Sequence, residues 1–377
     1  MSTIKVTNLQ NASAASPAIV LDANSRATLN GLSYPTEGSL SGRNRIINGD
    51  MRIDQRNAGA ALTLTAGYNI DRWRSDTTGG ASFTVQRNAG SVTPPTGYTN
   101  YLGYTSTAAY TPATNSTFCP AQSIEGFNCA DFAWGTASAI SVTLSFWVRS
   151  SLTGSHSGSL LNGGGSRSYV FSYTVNAANT WEQKTIVIPG DTTGTWATDN
   201  TTGIIVRFNL GTGTGTFGST STGWQAGNIV GLTSGVQVSA TNGATWMLTG
   251  VQLEAGSVAT PFERRSYGQE LALCQRYYAK SYSTSTVPGT ITGAGECRMV
   301  CAGGVFFTNF DFPTEMRAAP TVTSYAVSTG ASGFVTVDGI GNAAITGTSV
   351  STRRVALTGT GISGQWFYGH YVASAEL

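Results

Sequence analysis

A strict alternation of apolar and polar residues is the feature of this sequence that most restricts its fold. In residues 141–149 the apolar side chains fall on one face of an extended strand: Val142, Leu144, Phe146 and Val148. Comparable runs separated by glycine-rich turns lie at residues 168–175, 185–189, 204–210 and 245–253. Strands of period two joined by such turns predict a two-sheet β-sandwich, in which each strand presents one apolar face to a shared core.

The composition supports this fold and excludes several classes of protein. Hydrophobic residues make up 40% of the 377, enough to fill a core, so intrinsic disorder is excluded. Charged residues are only 11%, the net charge is +2, and no run of Lys and Arg could follow a phosphate backbone. No apolar stretch approaches the roughly 20 residues that span a bilayer. We therefore expect neither nucleic-acid binding nor membrane insertion.

Residues 1–43 form a separate opening segment. Residues 4–9 and 18–22 alternate as short strands do, but two such strands are not stable alone. They need copies of the same chain or a surface on another protein, which predicts an attachment segment; a flexible tail is the alternative. The segment lacks the charged-then-apolar layout of a signal peptide, so we expect synthesis in a cytoplasm.

The periodicity changes from strand to helix at residues 265–279. Tyr267, Leu271, Cys274 and Tyr278 form one helical stripe, and Ser266 with Gln269 has the spacing of a capping box. So narrow a stripe must pack on something. The sequence leaves open whether it packs on its own sandwich or on the same stripes of other copies.

The sequence therefore predicts an all-β chain in four parts. A jelly-roll β-sandwich occupies residues 44–264, and a small C-terminal β-sandwich tip occupies residues 280–377. The attachment segment, residues 1–43, precedes the first sandwich, and the short helix, residues 265–279, connects the two.

Few residues indicate catalysis. His156 and His370 have neither a nucleophile nor a metal ligand at a useful spacing, so we predict no catalytic residues and no enzyme. Two carboxylates could still act as a pair in a glycan-degrading enzyme, but sequence cannot pair them across a sheet. Eight are candidates: Asp50, Asp54, Asp71, Asp76, Asp191, Asp199, Glu254 and Glu263. The odd cysteine count favours free buried thiols over disulfides, although Cys297 and Cys301 could pair.

Tryptophans in polar loops are the best candidates for glycan binding, because flat aromatic faces stack on the C–H faces of sugars. Trp181, Trp196 and Trp224 lie in or beside such loops, whereas Trp147 and Trp246 lie within strands. The alternative is that the three are packing residues. In the tip, Trp366 and Tyr368 share one face, which we assign to the core or to an interface between copies.

Several motifs together resemble the tail-fibre and virion-fibre proteins of tailed bacteriophages. They lie at residues 44–51, 68–73, 253–256, 276–278, 312–321 and 375–377. The resemblance covers residues 44–377 and is specific only as a combination. It implies a structural virion protein, usually a homotrimer, with a jelly-roll module similar to carbohydrate-binding domains.

The resemblance also implies partners and a location. Residues 1–43 would dock on a tail or capsid protein of the virion, and the distal part would bind a host surface glycan. A head fibre or capsid-decorating protein and a glycan-degrading tailspike are the alternatives. Three copies would meet at Tyr267, Leu271, Cys274 and Tyr278. No cofactor is implied beyond a structural calcium, which similar jelly rolls often hold and for which Asn48, Asp50 and Glu254 could supply oxygens.

Overall fold

The computed structural model describes residues 42–80, 82–301, 305–360 and 363–377, together with the backbone of four short strands nearer the N-terminus. The fold is all-β, as predicted, with one α-helix among the described residues. None of the helices described there is long and apolar enough to cross a membrane.

The four N-terminal strands form an antiparallel sheet in sequence order. They are β1 (Asn8–Leu9), β2 (Ile19–Leu21), β3 (Ala27–Leu29) and β4 (Leu32–Ser33). The first two fall inside the strands predicted at residues 4–9 and 18–22. Most of residues 1–41 lies outside the described residues, and the attachment role stays a prediction.

Two facing sheets follow. Their strands are β5 (Leu62–Thr63), β6 (Gly67–Ile70), β7 (Trp73–Thr78), β8 (Phe83–Arg87), β9 (Leu102–Ser106), β10 (Thr117–Glu125), β11 (Val142–Ser150), β12 (Gly154–Asn162), β13 (Arg167–Val175), β14 (Glu182–Ile188), β15 (Thr202–Phe208), β16 (Gly211–Thr212), β17 (Gly218–Ser219), β18 (Gly223–Ala226), β19 (Gly231–Leu232) and β20 (Thr245–Ala255). One sheet has the order β18-β13-β12-β15-β10-β7-β6, with β16 beside β10, and the other has the order β14-β11-β20-β9-β8-β5. Strands β17 and β19 form a small parallel pair.

The predicted alternation builds the core between these sheets. Phe146 of β11 is fully buried, and its ring lies 5.0 Å from that of Phe208 on β15 in the opposite sheet. Each fully buried side chain of this size stabilises the fold by about 1.5–3 kcal/mol. All five strands predicted for this part are present within a few residues, as β11, β13, β14, β15 and β20.

Helix α1 (Tyr267–Gln275) is shorter than predicted. The capping box is confirmed: the Ser266 hydroxyl accepts a hydrogen bond from the Gln269 amide, and the Gln269 side chain accepts one from the Ser266 amide. The predicted stripe assumed that the helix continues to residue 279. It does not, because the Tyr277 carbonyl accepts a hydrogen bond from the Ala375 backbone N–H, and a strand begins at Tyr278.

The C-terminal part is a second, smaller sandwich. Its strands are β21 (Tyr278–Lys280), β22 (Cys297–Val300), β23 (Val305–Asp311), β24 (Thr321–Ala326), β25 (Phe334–Val337), β26 (Gly341–Ala344), β27 (Gly347–Val350), β28 (Arg354–Thr360) and β29 (Trp366–Ser374). Strand β29 is central, with β21 and β22 along one edge and β24 and β25 along the other. A three-stranded sheet, β23-β28-β27, faces it. The boundaries drawn at residues 264 and 279 stay a prediction.

Charged residues join the small sandwich to the large one at what we call the junction. The Glu376 carboxylate forms ion pairs with Arg56 and with Arg72, and the Arg72 guanidinium lies 3.6 Å from the centre of the Tyr277 ring. Arg276 binds Glu125 through two hydrogen bonds of 3.0 and 2.6 Å. Motif residues far apart in sequence therefore meet in one buried network.

All five cysteines carry free thiols, so Cys297 and Cys301 are not paired. Cys119 and Cys129 lie in the large sandwich, and Cys274 lies in α1. Burial raises the pKa of Cys119 and of Cys129 to about 12 and that of Cys297 to about 11. Such thiols stay protonated at neutral pH.

Candidate functional site

Two of the three predicted tryptophans come together at one edge of the large sandwich. Trp196 and Trp224 are half-buried, and they pack edge-to-face on each other and on the buried Trp134, with ring centroids 4.7–5.7 Å apart. We call this cluster, with Arg167 and Asp191, the aromatic rim. Trp134 was not singled out in the sequence, because nothing there shows which loops are neighbours.

Edge strands and loop hydrogen bonds fix the tryptophan rings. Trp224 lies on the edge strand β18, opposite Tyr169 of β13. The Trp224 indole N–H donates to the Pro189 carbonyl at 3.0 Å, and the Trp134 indole N–H donates to the Ile140 carbonyl at 2.8 Å. These indoles are held by the protein at their polar ends, so a ligand would meet their apolar faces.

An ion pair between the half-buried Arg167 and the buried Asp191 lies beside the rings. Arg167 donates two hydrogen bonds of 3.0 Å to Asp191, and its guanidinium lies 5.5 Å from the centre of the Trp224 ring. The Trp196 indole N–H also donates to Asp191, at 3.3 Å. Burial alone would raise the pKa of Asp191, but hydrogen bonds from Arg167 and Thr193 outweigh it and hold that pKa below its usual value.

Trp181 does not belong to this cluster. It precedes β14, whereas Pro189, which anchors Trp224, follows the same strand, so about 25 Å of extended chain separates the two places. The Trp181 ring packs edge-to-face on Tyr101 at 5.5 Å, and its indole N–H donates to the Thr93 carbonyl. Of the three tryptophans predicted as candidates for glycan binding, the structure brings two together and leaves the third apart, and glycan binding stays a prediction.

The predicted calcium ligands are already bonded to protein groups. The Asn48 amide donates to the carbonyls of Ile53 and Asp71 and accepts from Ile53, and both Glu254 oxygens accept from Thr260. Asp50 pairs with Arg52 at 2.7 Å, and its Oδ1 alone among these side-chain oxygens has no hydrogen-bond partner in the described structure. Calcium takes six to eight oxygens, and no group of three or more His, Cys, Asp or Glu side chains that could hold a metal occurs in the described ranges. The donor set does not fit the ion without breaking these bonds, and the calcium site stays a prediction.

The helical stripe predicted for trimer contacts is mostly buried by its own chain. Cys274 is fully buried against Ile47 and Tyr277, and Leu271 packs on the same cluster. Tyr278 lies in β21, buried, with the Arg56 guanidinium 3.8 Å from the centre of its ring. Tyr267 alone of the four is exposed, at 50%. The four residues therefore do not form one free surface, because α1 packs on the large sandwich; the homotrimer stays a prediction.

The remaining chemical candidates also have protein partners. All eight carboxylates named from the sequence accept a hydrogen bond or form an ion pair: Asp50 with Arg52, Asp54 with Gly59, Asp71 with Gln55, Asp76 with Arg74, Asp191 with Arg167, Asp199 with Thr201, Glu254 with Thr260 and Glu263 with Asn44. His156 and His370 are buried, and burial lowers the pKa of each.

One charged array was missed by sequence reasoning. Four residues lie in register on adjacent strands, on the outer face of the large sandwich's larger sheet. They are Arg74 on β7, Ala121 on β10, Arg207 on β15 and Ser159 on β12. Asp76 lies between the two arginines, 2.6 Å from Arg74 and 3.3 Å from Arg207. Because side chains alternate along β7, Arg74 points to the outer face and the buried Trp73 points to the core. The sequence does not show, however, that β7, β10, β15 and β12 are neighbours.

No protein-family model and no curated protein matches this chain. Part of the chain is similar to solved structures. The enzymatically active domain of tailspike protein 4 from bacteriophage CBA120 is 13% identical, with a TM-score of 0.30, over 59% of this chain and 24% of that one. The family 11 carbohydrate-binding module from Clostridium thermocellum is 14% identical, with a TM-score of 0.26, over 53% of this chain and 98% of the module. A xylan-binding CBM22-1 domain from Paenibacillus barcinonensis is 14% identical, with a TM-score of 0.22, over 54% and 99%.

These likenesses define no family, because both the identities and the TM-scores are low. One of them nevertheless contradicts the prediction that the protein is not an enzyme, since the matched tailspike domain is described as enzymatically active. That prediction is corrected: the absence of enzymatic activity is no longer expected. The likeness assigns no reaction to this chain, which spans about a quarter of that domain.

Proposed function

We propose that this protein is a fibre component of a tailed-phage virion and that it binds a host surface polysaccharide through the aromatic rim. The observation that carries the proposal is the pair Trp196 and Trp224, half-exposed side chains that are fixed in place beside an ion pair. The motif combination at residues 44–377 supports the virion assignment.

The geometry of the rim suits a sugar. Packing and indole hydrogen bonds hold both tryptophans before any ligand arrives, so little side-chain entropy is lost on binding. Their faces can stack on sugar C–H groups, while the half-buried Arg167 guanidinium, held by Asp191, lies close enough to the Trp224 ring to donate a hydrogen bond to a sugar hydroxyl.

The proposal includes attachment by residues 1–43 to a tail protein and assembly as a homotrimer. A head fibre is the alternative location. Three linked copies would raise the avidity for a repeating polysaccharide by about 10²–10⁴-fold over one site, without any new contact. Antibody labelling of intact particles distinguishes the tail from the head.

Titration of the full chain with host surface polysaccharide tests the binding site. We expect Trp196→Ala and Trp224→Ala each to weaken binding at least tenfold, because each removes one apolar face of the rim. Trp181→Ala is the matched control, since Trp181 is also a half-buried tryptophan but lies at the other end of β14. It should bind as the parent does.

Two further measurements keep the test decisive. Trp196→Phe retains an aromatic face and should bind better than Trp196→Ala, and far-ultraviolet circular dichroism shows whether each variant is folded. The polysaccharide length is followed in the same samples, so that chain shortening is detected. Undiminished binding by both folded alanine variants would contradict the proposed site.

A further inference from the structure

The outer face of the small sandwich's main sheet carries an open row of side chains. Arg298 of β22, Tyr368 of β29, Thr336 of β25 and Asn342 of β26 are cross-strand neighbours and share that face. Their neighbours in sequence point the other way, since Phe367 and Val337 are buried in the core. From the sequence, the face that carries Trp366 and Tyr368 is assigned to the core or to an interface between copies.

Within the described residues, the chain covers only half of this face. Tyr282 stacks on His370 with ring centroids 3.7 Å apart, and the His370 Nε2 bonds the Thr292 carbonyl, so the segment between Tyr282 and Thr292 lies over that half. The other half is open: Trp366 is 47% exposed and Val300 is 45% exposed. We call this open half the tip platform, formed by Arg298, Val300, Phe334, Thr336, Trp366 and Tyr368.

The charges on the tip platform are balanced. The Arg298 guanidinium lies 5.2 Å from the centre of the Tyr368 ring, and Arg298 also forms an ion pair with Glu296 at 2.5 Å. Asp338, at the end of β25, is exposed next to Trp366, whose carbonyl accepts its backbone N–H. With its one arginine paired, the platform has no excess positive charge to attract an anion.

Hydroxyl and amide groups border the aromatic rings. The Thr336 and Ser328 hydroxyls lie 2.9 Å apart, and the Asn342 amide donates to the Thr329 hydroxyl at 2.7 Å. Trp366 and Tyr368 are two residues apart on one strand, so their side chains project about 7 Å apart from the same face. Aromatic faces next to hydroxyls and an amide form a surface suited to sugar rings.

We propose that the tip platform is a second carbohydrate site, separate from the aromatic rim, and that it takes uncharged sugars. This inference shares the ligand class of the proposed function but uses none of the same residues. A second copy of the chain fits less well. Trp366, Val300 and Phe334 expose on the order of 300 Å² of apolar surface, and a stable interface, which buries about 800 Å² of polar and apolar surface per partner, would have to extend well beyond the platform.

The test uses the full chain with Trp196 and Trp224 both changed to alanine, so that failure at the rim does not affect the result. Binding of neutral hexasaccharides (cello-, laminari- and maltohexaose) and of an anionic oligogalacturonate is followed by calorimetry. We expect at least one neutral sugar to bind, and Trp366→Ala in the same background to weaken it at least tenfold. Phe127→Ala is the matched control, because Phe127 is an aromatic residue 61% exposed on the large sandwich.

Each other outcome contradicts the tip site. Three results would each overturn it. The neutral sugars could bind equally well after Trp366→Ala, the anionic sugar alone could bind, or no sugar could bind at all. Light scattering of the same samples distinguishes the interface between copies: a smaller particle after Trp366→Ala, with sugar binding unchanged, would assign the platform to assembly. Tyr368→Phe should retain the fold and the stacking, and so it controls for loss of structure.

Discussion

At the scale of single residues, Asp191 organises the aromatic rim. Its carboxylate accepts hydrogen bonds from the Arg167 guanidinium, the Trp196 indole and the Thr193 hydroxyl. The sequence named Trp196, Trp224 and Asp191 as separate candidates, for stacking and for acid–base chemistry. It could not show that they meet, because Asp191 and Trp196 lie on the loop between β14 and β15, whereas Trp224 lies on the edge strand β18.

The lowered pKa of Asp191 predicts how the rim responds to pH. The folded-state pKa of Asp191 lies below the usual 3.8. The ionised carboxylate therefore stabilises the folded protein fully above pH 3.8, and this contribution is lost as the pH falls through the folded-state pKa. We expect constant tryptophan fluorescence from pH 8 to 5 and a change below about pH 4. Asp191→Asn should remove that change.

Asp199→Asn is the control, since Asp199 also has a lowered pKa but bonds to Thr201 and to no tryptophan. A fluorescence transition that persists in Asp191→Asn and disappears in Asp199→Asn would contradict this account.

At the scale of elements, local sequence signals predicted individual strands and the start of the helix. They did not predict which strands pair with each other. Strands β11, β13, β14, β15 and β20 were found from their own residues, because burial on one face imposes the period of two, whereas β12 and the large sandwich's strands before β11 were not predicted. The start of α1 was also found from a local signal, because the capping box lies within four consecutive residues. Its end was missed, because Tyr278 begins β21, whose partner strand, β29, lies almost 100 residues away.

The capping box makes a prediction for α1. Ser266→Ala removes the acceptor for the Gln269 amide, and we expect it to lower the free energy of unfolding by about 1 kcal/mol. Denaturation in urea measures this. Gln275→Ala, at the other end of the helix, is the control, because the Gln275 side chain makes no hydrogen bond in the described structure. Equal effects of the two changes would show that the cap contributes nothing specific.

At the scale of the whole molecule, the junction decides whether the two sandwiches behave as one body. Arg72 is 1% exposed, with a backbone φ of 68° that few non-glycine residues adopt. Burial opposes its charge, but Glu376 raises the pKa of Arg72 above its usual value. The motif residues that suggest a phage fibre, at 68–73, 276–278 and 375–377, are thus largely structural.

Breaking this pair should destabilise the whole chain. Arg72→Met leaves Glu376 buried with Arg56 as its remaining ion-pair partner, and we expect a loss of about 3–5 kcal/mol in the free energy of unfolding. Differential scanning calorimetry should then show the small sandwich melting separately. Glu376→Gln in the same chain should restore part of the loss, because it removes the buried negative charge that Arg56 alone would otherwise have to balance.

The exposed ion pair of Arg354 with Asp311 supplies the control. Arg354→Met should leave the melting profile unchanged, since exposed pairs contribute little. A melting temperature for Arg72→Met equal to that of Arg354→Met would refute the structural role of the junction.

The distribution of the free thiols makes this protein its own reporter of local opening. Cys119 and Cys129 lie in the large sandwich, Cys274 in α1, and Cys297 and Cys301 in the small sandwich. Cys297 is partly exposed and the other four are buried, and a buried thiol reacts with an alkylating agent only when its surroundings open. The order in which the four buried positions are alkylated, followed by mass spectrometry, would therefore give the order in which the parts of the native chain come apart.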